Sequence, residues 1–363
     1  MTKHIQDQPI LATYPISEDE VVVLFSTNIH VSMVNEAGLY TFESGLKVHE
    51  VRLDETSAQR LVLRVDRMET QPLKIDSITI NNLITAEGKN FKTITSPSFI
   101  HGLPTAMELK VPHLESNFPY ATKFQNIHVS VACCTGCNGG VHHRNLVVLN
   151  HHLGGGWSGI WVKTGKTIEA PYPRWQKVLC AGGVISEESG SMTVLDKGWM
   201  EIHKLNEVPH HAPPPLPIET IDLPCKQNTS LMSKSLDGAW VQFDDITVHS
   251  AKFVEAKETC HETVNLPRTE IIFSDKSGGK TEAWLFQPSG HKVIAGQKLS
   301  CLRGFVHAEQ PGVYVMLSDK EEDIIANSQK CYCSLFPYEK SKAWSLLRHF
   351  CEFFRCSKKK PEL

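Results

Sequence analysis

The chain has 363 residues, 41% hydrophobic and 21% charged, with a formal net charge of −3. That length holds two or three domains. The near-neutral balance excludes a global attraction to nucleic acid or acidic membranes, so any such binding needs a local basic face. No stretch reaches the roughly 18–20 apolar residues that span a bilayer, and residues 1–8 lack the apolar core of a signal peptide. The 11 cysteines are an odd number, so at least one thiol is free, bound or linked elsewhere.

In chain order, Val21-Val22-Val23-Leu24-Phe25 is a short apolar strand. Leu46, Val48 and Val51, then Leu61, Leu63 and Val65, follow with partial period-two alternation, and Ile75, Ile78 and Ile80 make a further strand. Turn signals separate them at Glu36-Ala37-Gly38, Glu43-Ser44-Gly45, Asp54-Glu55-Thr56-Ser57 and Ala86-Glu87-Gly88-Lys89-Asn90. Short alternating strands at this spacing predict a β-sandwich over residues 1–110. Together with Tyr40-Thr41-Phe42, Gly45-Leu46-Lys47-Val48 and Val51-Arg52-Leu53-Asp54, this pattern resembles the Ig-like domain of bacterial surface-layer and other cell-envelope proteins. The resemblance covers residues 10–90 and implies architecture and a periplasmic or extracellular setting. It brings no catalytic residue.

Prolines at 97, 104 and 112 mark a connector, and the Pro-rich stretch 208–218 reads as a semi-rigid linker. Between and after them a pattern occurs twice, over residues 124–202 and 236–324. Each copy has a strand, a Gly-punctuated strand ending on an aromatic (Trp157-Ser158-Gly159-Ile160-Trp161-Val162; Gly278-Gly279-Lys280-Thr281-Glu282-Ala283-Trp284), and two closing strands. The copies resemble OB-fold domains, five-stranded Greek-key barrels. The second, with Leu236-Asp237-Gly238-Ala239-Trp240-Val241 and the Phe273-Ser274-Asp275-Lys276-Ser277-Gly278 turn, is similar to OB modules of secreted bacterial nucleases and envelope proteins. The first departs from that pattern through a Cys/His/Gly-rich insertion. The expected architecture is all-β: an Ig-like sandwich (1–110), an OB-like barrel (111–207), a linker (208–218), a second OB-like barrel (219–330) and a short C-terminal helix (331–363). Trp344, Leu347, Phe350, Cys351 and Phe354 give that helix one apolar face, with Lys358-Lys359-Lys360 after it. Such a face either covers a barrel end or lies on a membrane or partner.

The insertion carries the unusual chemistry. Cys134-x-x-Cys137 has zinc-knuckle spacing, and Cys133, His142, His143, His151 and His152 are candidates to complete a tetrahedral zinc or copper site. No second C-x-x-C supplies the other half. The alternatives are structural thiols, a Cys134–Cys137 disulfide, a pair to Cys180, or a redox couple. For a ligand surface the candidates are Trp157, Trp161 and Trp175 with Lys163, Lys166 and Arg174, an aromatic and cationic set suited to a single-stranded nucleic acid or an oligosaccharide. Alternation places Trp157 and Trp161 on one face, either this surface or the barrel core. Gly154-Gly155-Gly156 is no phosphate loop, and no Ser-His-Asp order, paired catalytic carboxylates or H-E-x-x-H is visible. The reading is a non-catalytic binding or assembly protein of a bacterial envelope or extracellular complex, with a protein partner. A nucleic-acid-binding or nuclease-accessory module and a metal- or redox-active protein are its alternatives.

Overall fold

The computed structural model describes residues 9–34, 36–70, 73–110, 124–137, 146–165, 173–188, 191–205, 211–226, 230–255, 267–286, 293–318 and 321–326. The helix predicted at 331–363 lies outside them. Strands β1 (Ile10–Pro15), β2 (Glu20–Phe25), β4 (Val48–Asp54) and β5 (Ser57–Val65) form one antiparallel sheet in the order β1-β2-β5-β4. Facing it is a second sheet, β3 (Tyr40–Phe42), β7 (Ile78–Ile84) and β8 (Asn90–Thr95), ordered β3-β7-β8. The two enclose Val21, Val23, Phe25, Leu61, Phe42 and Ile80. β2 reads as an unbroken apolar run because both its faces are covered. Val21 and Val23 point into the sandwich, while Val22 packs outward with Tyr14 and Val62 against Leu179 and Ala181.

Those last two residues belong to a barrel. Strands β10 (His128–Cys137), β11 (Leu146–Asn150), β12 (Gly159–Lys163), β13 (Lys177–Glu188) and β14 (Ser191–Leu195) run β10-β11-β12-β14-β13 and close back onto β10. Only the β12–β14 pair of that circuit is parallel. The second barrel repeats the circuit with β17 (Trp240–Val254), β18 (Arg268–Ser274), β19 (Thr281–Leu285), β21 (Val313–Ser318) and β20 (Lys298–Gln310), again with one parallel pair, β19–β21. This is the strand order of the five-stranded Greek-key OB barrel.

The repeat is longer than the sequence pattern. In the first unit β9 (Phe99–Ile100) lies parallel beside β10, α1 (Ala106–Lys110) follows, and β15 (Glu201–Lys204) runs along β13. The second unit has the same three additions: β16 (Leu216–Pro217) parallel beside β17, α2 (Leu231–Leu236), and β22 (Ile324–Ala326) along β20. β6 (Ile75–Asp76) pairs with β9 and joins the sandwich to the first barrel.

The sandwich docks on the outer face of β10 and β13. Gly182 makes room for Tyr14: its φ is +77°, and a β-carbon there would lie 2.8 Å from the phenol ring. Burial pushes the Tyr14 hydroxyl up to about 12, with Arg60 opposing and Glu201 adding to the shift. Arg60 bridges the two bodies, 3.0 Å from Glu201 of β15 and 3.5 Å from Asp54 of β4. His128 is buried at the same junction, its ring stacked on Trp199 at 6.0 Å.

Burial lowers the His128 imidazole from 6.5 to about 4. The unfolded chain therefore binds this proton more tightly than the folded one, and stability held above pH 6.5 is lost as the pH falls toward 4. The contribution is up to roughly 3 kcal/mol. His128→Gln is expected to flatten the acid limb of a stability profile. Urea midpoints at neutral and mildly acidic pH measure it, and parallel curves for the two proteins would contradict this account.

Candidate functional site

Alternation on β11 and β12 sends Val147, Leu149, Ile160 and Val162 into the first barrel. Leu146, Val148 and Trp161 point outward, yet Trp161 is only 1% exposed. They pack on the outward residues of the second barrel, Trp240 and Phe305 of β17 and β20 and Val315 and Leu317 of β21, in one cluster with Trp175, Trp284 and Phe286. The Trp161 indole N–H donates to the Val306 carbonyl at 3.2 Å, and its ring meets His307 edge-on at 4.8 Å. Trp175 approaches Trp240 edge-on at 5.8 Å, and Trp240 lies 4.6 Å from Phe305. Burying each large apolar side chain contributes about 1.5–3 kcal/mol. Arg174 lies over Trp240 at 5.0 Å and pairs with Asp323 at 3.0 Å. Burial raises the Asp323 carboxyl, and the Arg174 charge opposes that shift.

Beside the aromatics the two backbones touch. A β-carbon on Gly159 would fall inside contact distance of the Gly238 carbonyl, and one on Gly238, at φ +76°, would sit 2.6 Å from the Gly159 carbonyl carbon. The Asn150 amide donates to the Gly238 carbonyl at 2.8 Å, and the Trp157 backbone N–H donates to the Ser235 carbonyl at 2.6 Å. The end of α1 closes this contact. Lys110 is fully buried, and its ammonium donates to the Gly159 carbonyl (2.8 Å), the Asp237 carbonyl (2.6 Å) and Asp237 Oδ2 (3.2 Å). Three protons thus meet three acceptors. The Asp237 carboxylate also accepts from Ser191 Oγ and, at 3.2 Å, from the Ala308 N–H. Such additional bonds are what allow a desolvated ion pair to persist. α1 itself starts from a reciprocal cap: the Thr105 N–H donates to Glu108 Oε2 at 2.7 Å, and the Glu108 N–H donates to Thr105 Oγ1 at 3.3 Å.

Of the sequence-derived ligand candidates, Trp161, Arg174 and Trp175 meet in this seam. Trp157 does not share their face. It precedes β12 in a turn, at φ +63°, and packs half-buried against the core of the first barrel, so strand alternation does not extend to it. Lys163 is exposed at the end of β12, and Lys166 lies outside the described residues.

Of the metal candidates, Cys133, His151 and His152 have described side chains. Cys133 faces the barrel core, where its sulfur accepts from the Ala106 N–H at 3.1 Å. Cys180 is a free buried thiol, so it takes no part in a disulfide, and burial raises its pKa well above the usual thiol range. The backbone of Cys134 and Cys137 is extended within β10, with a bulge between Thr135 and Cys137, in place of the tight turn of a zinc knuckle. At ~3.3 Å per residue such positions stand roughly 10 Å apart. The side chains of Cys134 and Cys137, and all of His142 and His143, lie outside the described residues. His151 and His152 occupy the turn after β11 with their rings 4.3 Å apart, and His151 Nδ1 accepts from the Leu153 N–H at 3.3 Å. Burial, then the neighbouring His152, lowers the His151 pKa. Among the described residues no group of three or more His, Cys, Asp or Glu side chains is placed to hold a metal ion.

Sequence reasoning missed the residues that position the seam: Lys110, Asp237, Ser191, Asn150 and the glycine pair. Asp237-Gly238 was visible as the opening of the second copy, whereas nothing local marked Lys110.

No family model matches the chain, and no curated protein does. Among solved structures, the N-terminal part of the bacterial S-layer protein SbsC is similar over 52% of this chain and 37% of that one, at 11% identity and a TM-score of 0.24. Fission yeast Pot1 with single-stranded DNA is similar over 66% of this chain and 95% of that one, at 9% identity and 0.24. A replication protein A heterotrimer bound to single-stranded DNA covers 48% and 41%, at 11% identity and 0.22. This is a loose resemblance of fold. The chain spans about a third of the S-layer fragment's length.

Lys110→Met leaves the Asp237 carboxylate buried without its cation and is expected to destabilise the protein by about 3–5 kcal/mol. Adding Asp237→Asn should recover a large part of that loss, and strictly additive urea-unfolding energies would show the two side chains to be uncoupled. Gly159→Ala is expected to lower stability by at least ~1–3 kcal/mol through overpacking. Gly38→Ala is the comparison, because nothing lies within 4 Å of its added methyl. Equal melting temperatures for the two alanine variants would contradict the close approach.

Proposed function

We propose that the protein is a non-catalytic binding and assembly protein whose OB barrels serve as docking modules for protein surfaces. The observation that carries this reading is the position of Trp161. The outer face of the second and third barrel strands is where OB-folds commonly take oligonucleotides or oligosaccharides. In the first barrel that face holds another protein module, through an aromatic cluster and a backbone contact. The resemblance of residues 10–90 to surface-layer-type domains suggests an envelope or extracellular setting for the assembly. Among the described residues no helix is long and apolar enough to cross a membrane.

Two measurements test the reading. Protein isolated from its native source is expected to run in a complex heavier than its own 40.6 kDa. A labelled single-stranded oligothymidine is expected to bind the full chain no more tightly than the ~10⁻⁴–10⁻⁶ M of non-specific contacts at physiological salt. Tight binding that weakens steeply with salt, and weakens further in a Lys163→Glu, Lys177→Glu variant, would replace assembly with nucleic-acid recognition.

A further inference from the structure

A strand with a neighbour on one side only leaves a row of backbone groups open. Among the described residues the sheets end on β1, β3, β4, β6, β8, β15, β16 and β22. Short length, charge, irregular register and a covering element each keep such an edge from pairing with another chain. β1 packs against β10 and β13 of the first barrel. β3, β6, β16 and β22 are two or three residues long. β15 puts Glu201, His203 and Lys204 into four residues. β4 carries Glu50, Arg52 and Asp54, and its register to β5 breaks twice. β8 is the exception. It runs six residues, Asn90-Phe91-Lys92-Thr93-Ile94-Thr95, with one charge and an unbroken register to β7.

The open side of β8 can be read from its ladder. The Ser96 N–H donates to the Ile78 carbonyl at 2.8 Å. Bonding alternates along an antiparallel pair, so the N–H and C=O of Thr95 and Thr93 point away from β7. Among the described residues no group bonds to that backbone edge. The hydroxyls do not fold over it either. Thr93 Oγ1 donates to the Asn81 side chain at 3.1 Å, and Thr95 Oγ1 meets Thr79 Oγ1 at 3.4 Å. Phe91 and Ile94 are half-buried against the sandwich core. The Lys89 ammonium sits over the Phe91 ring at 4.7 Å, and Lys92 is exposed. The edge is therefore cationic.

We propose that β8 takes an extended, carboxylate-bearing segment of a partner protein as an added strand. The inference rests on the assembly reading and gives it a second contact of stated chemistry. Donors and acceptors recurring roughly every 7 Å along one edge are matched by another extended polypeptide, which bonds through both its N–H and C=O groups. Lys92 and Lys89 select the charge of that strand, because opposite charges across a strand pair stabilise it and like charges destabilise it. The same rule disfavours a second copy of β8, whose antiparallel pairing would gather the lysines of both copies.

The test uses the full chain, a labelled peptide of alternating valine and glutamate, and fluorescence anisotropy. Thr93→Pro removes a donor from the open side and leaves the β7 ladder its bonds; it is expected to weaken the peptide about tenfold or more. Lys92→Glu should weaken it about fivefold and favour the same peptide built with lysine. Lys252→Glu, exposed on β17, should change it less than about twofold. Near-ultraviolet circular dichroism checks that each variant is folded. If Thr93→Pro is not, amide exchange of residues 90–95 in the wild type decides: slowing on peptide addition supports the added strand, and unchanged exchange overturns it. No saturable binding to the wild type up to about 1 mM, or equal losses in Lys92→Glu and Lys252→Glu, also overturns it. If the edge fails while the native protein still runs above 40.6 kDa, assembly stands without it. A native monomer removes both.

Discussion

The ammonium of Lys110 is where three separate pieces of chain are made to agree. It comes from the connector helix, binds the Gly159 carbonyl of the first barrel, and binds both the carbonyl and the carboxylate of Asp237 at the start of the second. A charged group removed from water tolerates no vacant donor, so these acceptors must converge within a few tenths of an ångström. They do so only when Gly159 and Gly238 are in contact. An aromatic face can slide by a residue at modest loss, whereas a fully paired buried ion cannot. The ion therefore fixes the register of the seam, and the aromatics supply most of its apolar contact.

With that register set, the modules follow one another in a fixed sense. The first barrel receives the sandwich on its β10–β13 face and offers its β11–β12 face to the β17–β20 face of the second. The same unit is used head to tail, and each position has diverged accordingly. His128 pairs with Val184 where Trp240 pairs with Phe305. The smaller residues admit β1 of the sandwich, and the larger ones fill the gap between barrels. The non-equivalence of the two sequence copies thus records which neighbour each one meets.

Much of the architecture was legible because it rests on periodicity. Alternation around Leu61, Leu63 and Val65 and turns at glycine or Asn/Asp gave the sandwich, and the repeated Gly-punctuated strand ending on tryptophan gave a twofold all-β unit, whose barrel form came from its resemblance to OB-fold domains. β9, α1 and β15 were not legible, since two to five residues carry too little pattern. The site was legible only in part. Alternation shows that Trp161 points out of its barrel, but not that another barrel covers it. Lys110 and Asp237 lie 127 residues apart, with nothing local to link them. Cys133 attracted attention by its neighbours in sequence, although its own side chain is a packing element of the barrel core.

Two tryptophans on the first barrel carry a further consequence. Trp157 and Trp175 have φ of +63° and +69°, a region that disfavours bulky side chains by about 1–2 kcal/mol. Each is compensated from across the seam. The Trp157 N–H is taken up by Ser235, and the Trp175 ring rests on Trp240 and Phe305. A first barrel cut from the second keeps the backbone penalty and loses its compensation, with a bare aromatic face besides. The barrel is therefore not an interchangeable cassette. Its two strained tryptophans are held by contacts that only the pair of barrels supplies.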